Sequence, residues 1–258
     1  MPTVKLILEY DGSRYAGWQR QPDQPTIQEA VETALFQLTQ RTVAVIGAGR
    51  TDSGVHALGQ VASFRIDRDW TPHEWTRGFN ARLPEDIAVR SAAIMPDEFH
   101  ARYAARGKLY EYRILNRPER PAVDRAYFWH VHKPLDQEAM RQAASFLIGS
   151  HSFTSFEGTL TDNEDPVCHL RQLSLTQQGN TILIHAYADR FLKHMVRAMV
   201  GTLVEVGHAK RTPASLAGVL AANDRTVAGR TAPAHGLFLV RVDYDSSAGS
   251  ATDKPSLF

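Results

Sequence analysis

The residue types best suited to chemistry in this sequence lie in one glycine-rich stretch, residues 47–57. It holds Arg50, Asp52, Ser53 and His56, among glycines that permit sharp turns or the close approach of other groups. A carboxylate in such a loop can act as a nucleophile if a guanidinium a few ångströms away favours its ionised form. A tight loop between two strands, with polar residues that are merely solvated, fits the same composition.

Three other kinds of site fit this loop less well. A phosphate-binding loop needs a Gly-Lys-Ser/Thr sequence, which is absent, and Asp52 would repel the anion. A serine hydrolase could use Ser53 with His56 or His151, but the sequence has no Gly-x-Ser-x-Gly elbow. Asp52 and His56 could ligate a metal, yet no third ligand follows at a suitable spacing. We therefore expect no metal.

Composition narrows the class of protein. The chain has 258 residues, of which 43% are hydrophobic and 22% charged, as in ordinary globular proteins. A single cysteine, Cys168, excludes an internal disulfide framework. The sequence contains no apolar run of membrane-spanning length and no signal-peptide pattern before the first predicted strand. The expected location is the cytoplasm.

Basic side chains fall into two groups, although the net charge is only +1. Tyrosines and histidines lie among them, a mixture that suits RNA, where base stacking accompanies phosphate contact. A solvated arginine face is an equally common explanation of such clusters. The first group is Arg102, Arg106, Lys108, Arg113, Arg117 and Arg120, and the second is Arg190, Lys193, Arg197, Lys210 and Arg211.

Local patterns predict the elements that must position these residues. Thr26 and Glu29 predict a capping box at the first helix. Residues 13–25 are expected to form a loop, in which Trp18 either anchors the chain or touches RNA. A polar, acidic loop is expected at 158–166. Strands are expected at 4–10, 43–46, 61–66, 87–95, 106–116, 127–131, 167–177, 181–188 and 238–244, and helices at 26–38, 71–81, 135–148, 192–207 and 212–222.

The helix expected at 192–207 carries an apolar stripe with Arg197 at its border. From a border position an arginine can lay its stem on the core and direct its guanidinium into a cleft. On an ideal helix His194 and Glu205 fall on the far side of the stripe.

The order of elements predicts an α+β fold of two related lobes with a cleft between them. Each lobe is expected to be a largely antiparallel sheet with helices packed on one face. We place the first lobe at residues 1–116, an inter-lobe crossing at 117–126, the second lobe at 127–245 and a loose tail at 246–258.

Three blocks resemble the tRNA pseudouridine synthase A family, and the resemblance spans nearly the whole chain. They are Gly-Arg-Thr-Asp-Ser-Gly-Val-His-Ala around Asp52, Lys-Leu-Tyr-Glu-Tyr around Tyr110, and Phe-Leu-Lys-His-Met-Val-Arg ending at Arg197. The resemblance implies that Asp52 is the nucleophile, that Arg197 pairs with it and that Tyr110 contacts the substrate base. It also implies a two-lobed homodimer. Because no local constraint joins Asp52 to Arg197, this assignment predicts that a cleft brings them within about 4 Å.

The activity implied is the isomerisation of uridine to pseudouridine at positions 38, 39 and 40 of the tRNA anticodon stem-loop. The product is an isomer of the substrate, so no cofactor is expected. Asp52 can serve by adding to C6 of the uracil or to C1′ of the ribose, and Arg50 can hold a phosphate or fill the gap left by a flipped base. The alternative is a non-catalytic RNA-binding module, against which Asp52 argues because a carboxylate weakens phosphate binding.

Overall fold

The computed structural model describes residues 1–158 and 165–245. The expected tail at 246–258 lies outside the described residues, as does most of the loop expected at 158–166. Ten strands and five α-helices occupy the described ranges. They are β1 Thr3–Tyr10, α1 Ile27–Thr39, β2 Ile46–Gly47, β3 His56–Arg65, α2 Pro72–Asn80, β4 Ile87–Met95, β5 Ala105–Asn116, β6 Trp129–Val131, α3 Gln137–Ser145, β7 Gly149–Ser152, β8 Val167–Gln178, β9 Thr181–Ala188, α4 Met195–Gly207, α5 Ser215–Ala222 and β10 Leu237–Tyr244.

All ten strands belong to one largely antiparallel sheet. Its main path runs β4-β1-β3-β10-β5-β9-β8-β7, with β2 beside β3 and β6 beside β5. The contacts of β10 with β3 and of β5 with β6 are parallel, and the other pairings are antiparallel. The predicted α+β class is confirmed. The two expected sheets are continuous with each other, since the strands of both halves hydrogen-bond into a single sheet.

Strand β10 makes that continuity. It pairs with β3 through Phe238 opposite His56 and Leu239 opposite Ala57, and on its other edge it runs antiparallel to β5. Leu237, Phe238 and Leu239 are all buried, as expected for a strand covered on both faces. The last strand of the second half in sequence therefore pairs with a strand of the first half on each of its edges.

The helices pack where their caps and apolar faces place them. In the first half α1 contacts α2, which rests on β4, and in the second half α3 packs against α4 and β8. Helix α2 begins with a full capping box, because Thr71 accepts from the Glu74 backbone N–H and the Glu74 carboxylate accepts from that of Thr71. The capping box predicted for α1 is only half present. Thr26 accepts from the Glu29 backbone N–H, but the Glu29 carboxylate lies 3.4 Å from Arg20 instead.

Several element boundaries differ from those expected: α3, α5 and β6 are shorter, and the strand β7 was not predicted. Three further differences bear on the glycine-rich loop or its surroundings. β2 has only two residues, so 43–45 is not strand. β3 begins at His56 rather than at 61, which puts His56 inside the sheet. α4 begins at Met195 because His194 has a positive φ of 63°, a left-handed conformation that no residue takes within a right-handed helix.

Candidate active site

The loop that carries Asp52, residues 48–55, connects β2 to β3 and is fixed at both ends. Near its start, the Gln60 side-chain amide donates to the carbonyl of Gly49 at 3.0 Å. In its middle, the Thr51 hydroxyl bonds to that of Tyr10 at 2.8 Å in a buried contact. Near its end the Ser53 hydroxyl donates to the carbonyl of Tyr15 at 3.2 Å. The nucleophile candidate thus sits between anchored neighbours.

The segment after β1 packs against this loop through Trp18. Trp18 is 2% exposed, and its backbone N–H donates to the carbonyl of Thr51 at 3.0 Å. A Cβ on Gly47 would come within 2.5–2.8 Å of the Trp18 ring, so only glycine permits this contact. Of the two roles considered for Trp18, the structure gives it that of an anchor, buried away from any ligand.

Asp52 and Arg197 form an ion pair across the molecule, as the sequence predicts. Nη1 of Arg197 lies 2.8 Å from Oδ2 of Asp52, and the side chains are 16% and 26% exposed, respectively. Partial burial raises the strength of such a pair above that of an exposed one, because less water screens the charges. The pair places a guanidinium directly against the carboxylate of the candidate nucleophile.

Helix α4 and the chain before β10 hold the Arg197 guanidinium in place. Nε of Arg197 donates to the carbonyl of Ala232 at 2.8 Å, and the Ala232 N–H donates to the Arg197 carbonyl at 3.0 Å. One guanidinium therefore makes a structural bond with Nε and a bond to Asp52 with Nη1. Its planar, forked donor geometry makes this double use possible.

Tyr110 lies on β5 and is buried, with its ring edge-to-face with Phe191 at 5.1 Å between centroids. Burial raises the pKa of its hydroxyl, and the charge of Asp52 raises it further, which places the two groups in one electrostatic environment. The hydroxyl is thus protonated at neutral pH and able to donate. Tyr112, two residues on, instead donates to the carbonyl of Pro233 at 2.8 Å and is a structural residue.

His194 also lies beside Asp52, a neighbour that the helical pattern missed. Its Nε2 is 3.6 Å from Oδ2 of Asp52, and the side chain is 30% exposed. The pattern placed it on the far side because it assumed helical backbone at 194, whereas the positive φ turns the side chain toward the loop. The one signal available was its position three residues before Arg197 in the third family-like block.

Ser53 and His56 do not come together as a hydrolase would require. His56 is 1% exposed, its Nδ1 accepts from the Gly12 N–H at 3.1 Å, and its Nε2 donates to the carbonyl of Ala126 at 3.1 Å. The ring stacks on Phe238 at 4.7 Å between centroids. Burial lowers the pKa of His56, which favours the neutral form in this structural role.

Arg50 is exposed, and in residues 1–158 and 165–245 it has no ion-pair partner. Several members of the two basic groups, by contrast, are paired with carboxylates inside the chain and are less available to a phosphate. These are Arg106 with Asp245, Arg113 with Glu111, Arg190 with Asp165, Arg197 with Asp52 and Arg211 with Glu205. The expected RNA surface is therefore smaller than the sequence indicates.

In the part of the chain that the structure describes, no cluster of three or more histidine, cysteine, aspartate or glutamate side chains is suited to a metal ion. Nor does any helix there have the length and apolar character needed to cross a membrane.

The family model for tRNA pseudouridine synthase matches residues 6–104 and 143–245. The tRNA pseudouridine synthase A of Photobacterium profundum is 43% identical over 95% of this chain and 94% of its own length. Those of Allorhizobium ampelinum and Shigella boydii serotype 4 are each 44% identical over 95% of this chain, and over 95% and 91% of their own lengths. A chain of a Cbf5-Nop10-Gar1 complex aligns with 91% of this chain and 57% of its own length at 10% identity, with a TM-score of 0.38, too weak a similarity to bear on the fold. On the family model and these relatives, the chain belongs to the tRNA pseudouridine synthase family.

Proposed function

We propose that this protein isomerises uridine to pseudouridine in tRNA, with Asp52 as the nucleophile and Arg197 as its charge partner. The observation that supports this most strongly is the 2.8 Å contact between the two side chains. They come from opposite halves of the chain and from elements with no local reason to meet. A partly buried carboxylate paired with one guanidinium, near a tyrosine whose hydroxyl can donate a proton, suits a covalent mechanism on a nucleobase.

The reaction conserves all the atoms of the nucleoside. The C1′–N1 bond breaks, the base turns, C1′ bonds to C5, the proton on C5 leaves, and N1 takes up a proton. Asp52 donates an electron pair to the uridine, at C6 or at C1′, and recovers it at the end. Tyr110 offers a ring edge or face to the uracil and a hydroxyl that donates a hydrogen bond. No oxidant or external energy source enters the balance.

The proposed substrate sites are uridines 38, 39 and 40 in the anticodon stem-loop, and a stem uridine must leave the helix before it can react. Unpairing and unstacking one nucleotide costs a few kcal/mol, on the order of what several phosphate contacts can supply. Arg50 is exposed two residues before Asp52, where it can bind a backbone phosphate or occupy the space left by the flipped base.

We also propose that the enzyme acts as a homodimer in the cytoplasm. Its lobes would be residues 1–116 and 127–245, joined by the crossing at 117–126 and followed by the tail at 246–258. The supply of Asp52 and Arg197 by different halves supports the division, and family membership supports the dimer and the location. Light scattering on the pure protein should give twice the chain mass of 28.8 kDa, and a fully active monomer would contradict this.

The deciding experiment is tritium release from tRNA that carries [5-³H]uridine, followed by mass mapping of pseudouridine. The wild type should release tritium and mark the anticodon arm. Asp52→Asn should bind tRNA as well as the wild type but turn over at least about a thousandfold more slowly, because it lacks the nucleophile. Binding without any tritium release by the wild type would favour the non-catalytic RNA-binding module.

A further inference from the structure

The two groups nearest the Asp52 carboxylate converge on the same oxygen. Oδ2 lies 2.8 Å from Nη1 of Arg197 and 3.6 Å from Nε2 of His194. Among the described residues, Oδ1 has neither a hydrogen bond nor an ion pair. Oδ2 thus accepts a hydrogen bond from Arg197 and faces the His194 ring just beyond hydrogen-bond distance.

The position of His194 is set by its own left-handed backbone conformation and by the contact of its ring with Gly158. Its φ of 63° is a left-handed conformation that costs a non-glycine residue free energy and is retained where the surroundings enforce it. The ring lies against Gly158, where an added Cβ would come within 2.6 Å of Nδ1. The Gly158 N–H in turn donates to the carbonyl of Lys193 at 2.8 Å.

The charges around His194 favour its neutral form. Burial is the largest influence and lowers the pKa of the imidazole, and the cations Arg197, Lys193 and Arg225 lower it further. Asp52 opposes them. At neutral pH the ring is therefore uncharged, and the nitrogen that faces a carboxylate oxygen is the one suited to carry the proton.

We propose that His194 is a positioning residue for Asp52. The Arg197 guanidinium hydrogen-bonds to Oδ2, and the Nε2–H of His194 faces the same oxygen from 3.6 Å, a distance that closes to hydrogen-bond length in the substrate complex. Oδ1 is then oriented toward the uracil or ribose as the attacking atom. This inference rests on the proposed function. Its physical basis is that a misplacement of about 1 Å at the reacting atom can cost on the order of a hundredfold in rate.

A pH dependence follows from this role. When the pH falls through the lowered pKa of His194, protonation puts a second full positive charge next to Oδ2. The groups that face the ring are then Asp52 from the loop, Arg197 from α4, and the nearby cations Lys193 and Arg225. A doubly paired carboxylate is a weaker nucleophile, so turnover falls on the acid side.

The test compares His194→Gln with His194→Asn. Glutamine can place an amide N–H near the position of Nε2 without titrating, whereas asparagine accepts the left-handed backbone but is too short to reach Oδ2. We expect His194→Asn to lower kcat ten- to a hundredfold, with KM and tRNA affinity within about twofold of the wild type. His194→Gln should recover most of kcat. Its kcat should no longer fall at low pH in the way that protonation of the histidine causes in the wild type. His151→Gln, on the surface strand β7, is the matched control and should change neither.

Three results would overturn the inference. They are a wild-type kcat in His194→Asn, an unchanged fall of kcat at low pH in His194→Gln, and equal losses of kcat in both variants together with a lower melting temperature.

NMR titration of the His194 ring gives a readout that does not depend on activity. Asp52→Asn should move its pKa further down, because the attraction of the carboxylate is gone. Absence of tritium release by the wild type would refute the proposed function, whereas normal release with indifferent His194 variants would refute only this inference.

Discussion

At the level of single side chains, Arg197 fixes the geometry of the site because its guanidinium makes two hydrogen bonds at once. Nε holds the carbonyl of Ala232 and Nη1 holds Asp52. A lysine has a single nitrogen, which cannot occupy the positions of both Nε and Nη1. The identity of the cation, and not only its charge, is therefore part of the site.

Arg197→Lys should lower the single-turnover rate by on the order of a hundredfold while changing tRNA affinity by less than about threefold. Rapid-quench tritium release and filter binding measure the two quantities. Arg211→Lys, which alters an arginine paired with Glu205 at 2.6 Å outside the site, should leave both unchanged. A wild-type rate in Arg197→Lys would show that charge alone is enough.

Tyr110 and Tyr112 provide a second contrast, since they are two residues apart on one strand and differ in what their hydroxyls contact. The Tyr112 hydroxyl donates to Pro233, whereas that of Tyr110 has no hydrogen-bond partner within the described residues. Tyr112→Phe should lower the free energy of unfolding by about 1 kcal/mol and change turnover little. Tyr110→Phe should leave stability near that of the wild type and lower kcat. Urea titration and tritium release distinguish the two, and a stability loss in Tyr110→Phe would place its hydroxyl in the fold instead.

At the level of elements, the Asp52 loop depends on the contact between β2 and the segment after β1, where Gly47 meets Trp18. Gly47 ends β2 and lies flat against the Trp18 ring, with the Asp52 loop immediately beyond it. Van der Waals contact this close leaves no room for a methyl group, and the ring cannot move because it is buried.

Gly47→Ala should therefore lower the free energy of unfolding by about 1–3 kcal/mol and lower turnover with it, because Trp18 anchors Thr51. The matched control is Gly218→Ala in α5, where an added Cβ meets no atom within 4 Å. That change should stabilise the protein by up to about 1 kcal/mol, since alanine is the better helix former. Denaturant titration of both variants gives the comparison, and equal effects would contradict the close contact at Gly47.

Over the molecule as a whole, the surface that meets tRNA depends on which cations are left unpaired. A net charge of +1 gives little general attraction, so local groups must provide it. Arg50 and Arg102 are exposed and lack ion-pair partners within residues 1–158 and 165–245, whereas Arg211 is engaged by Glu205.

Binding of tRNA should weaken steeply as salt rises, because each phosphate contact releases counterions. Arg50→Ala and Arg102→Ala should each reduce the slope of log Kd against log salt by about 0.7–0.9. Arg211→Ala should leave the slope unchanged. Fluorescence anisotropy between low and physiological salt measures it, and a flat wild-type response would remove the RNA surface from the two basic groups.

The extent to which the sequence predicts this protein depends on how local each feature is. The β8–β9 hairpin and the start of α2 follow from short patterns and are confirmed. The single sheet does not follow from such patterns, because nothing within β10 specifies that it enters between β3 and β5. Of the ion pairs that engage members of the basic groups, only Arg113 with Glu111 lies within one element, β5. The other four join residues from different segments of the chain, so local patterns could not reveal them.

In the site, the contact of Asp52 with Arg197 could be predicted only because motifs carried it, since 145 residues separate the two. The position of His194 beside Asp52 was not predicted, because helical periodicity assumes one backbone conformation throughout. The left-handed backbone at His194 changes the direction of its side chain. The roles of Asp52, Arg197, Tyr110 and Arg50 remain predictions that the experiments above test.

The position of β10 has a consequence for protein synthesis. The ribosome releases the Asp52 loop and β3 long before Phe238, the neighbour on which the His56 ring stacks. Ala232, which holds the guanidinium of Arg197, emerges just before. A translation product that stops before Ala232 therefore contains Asp52 but lacks both β10, the strand partner of β3, and the carbonyl that holds the Arg197 guanidinium. We expect such fragments to leave tRNA unmodified, so that activity requires translation through β10.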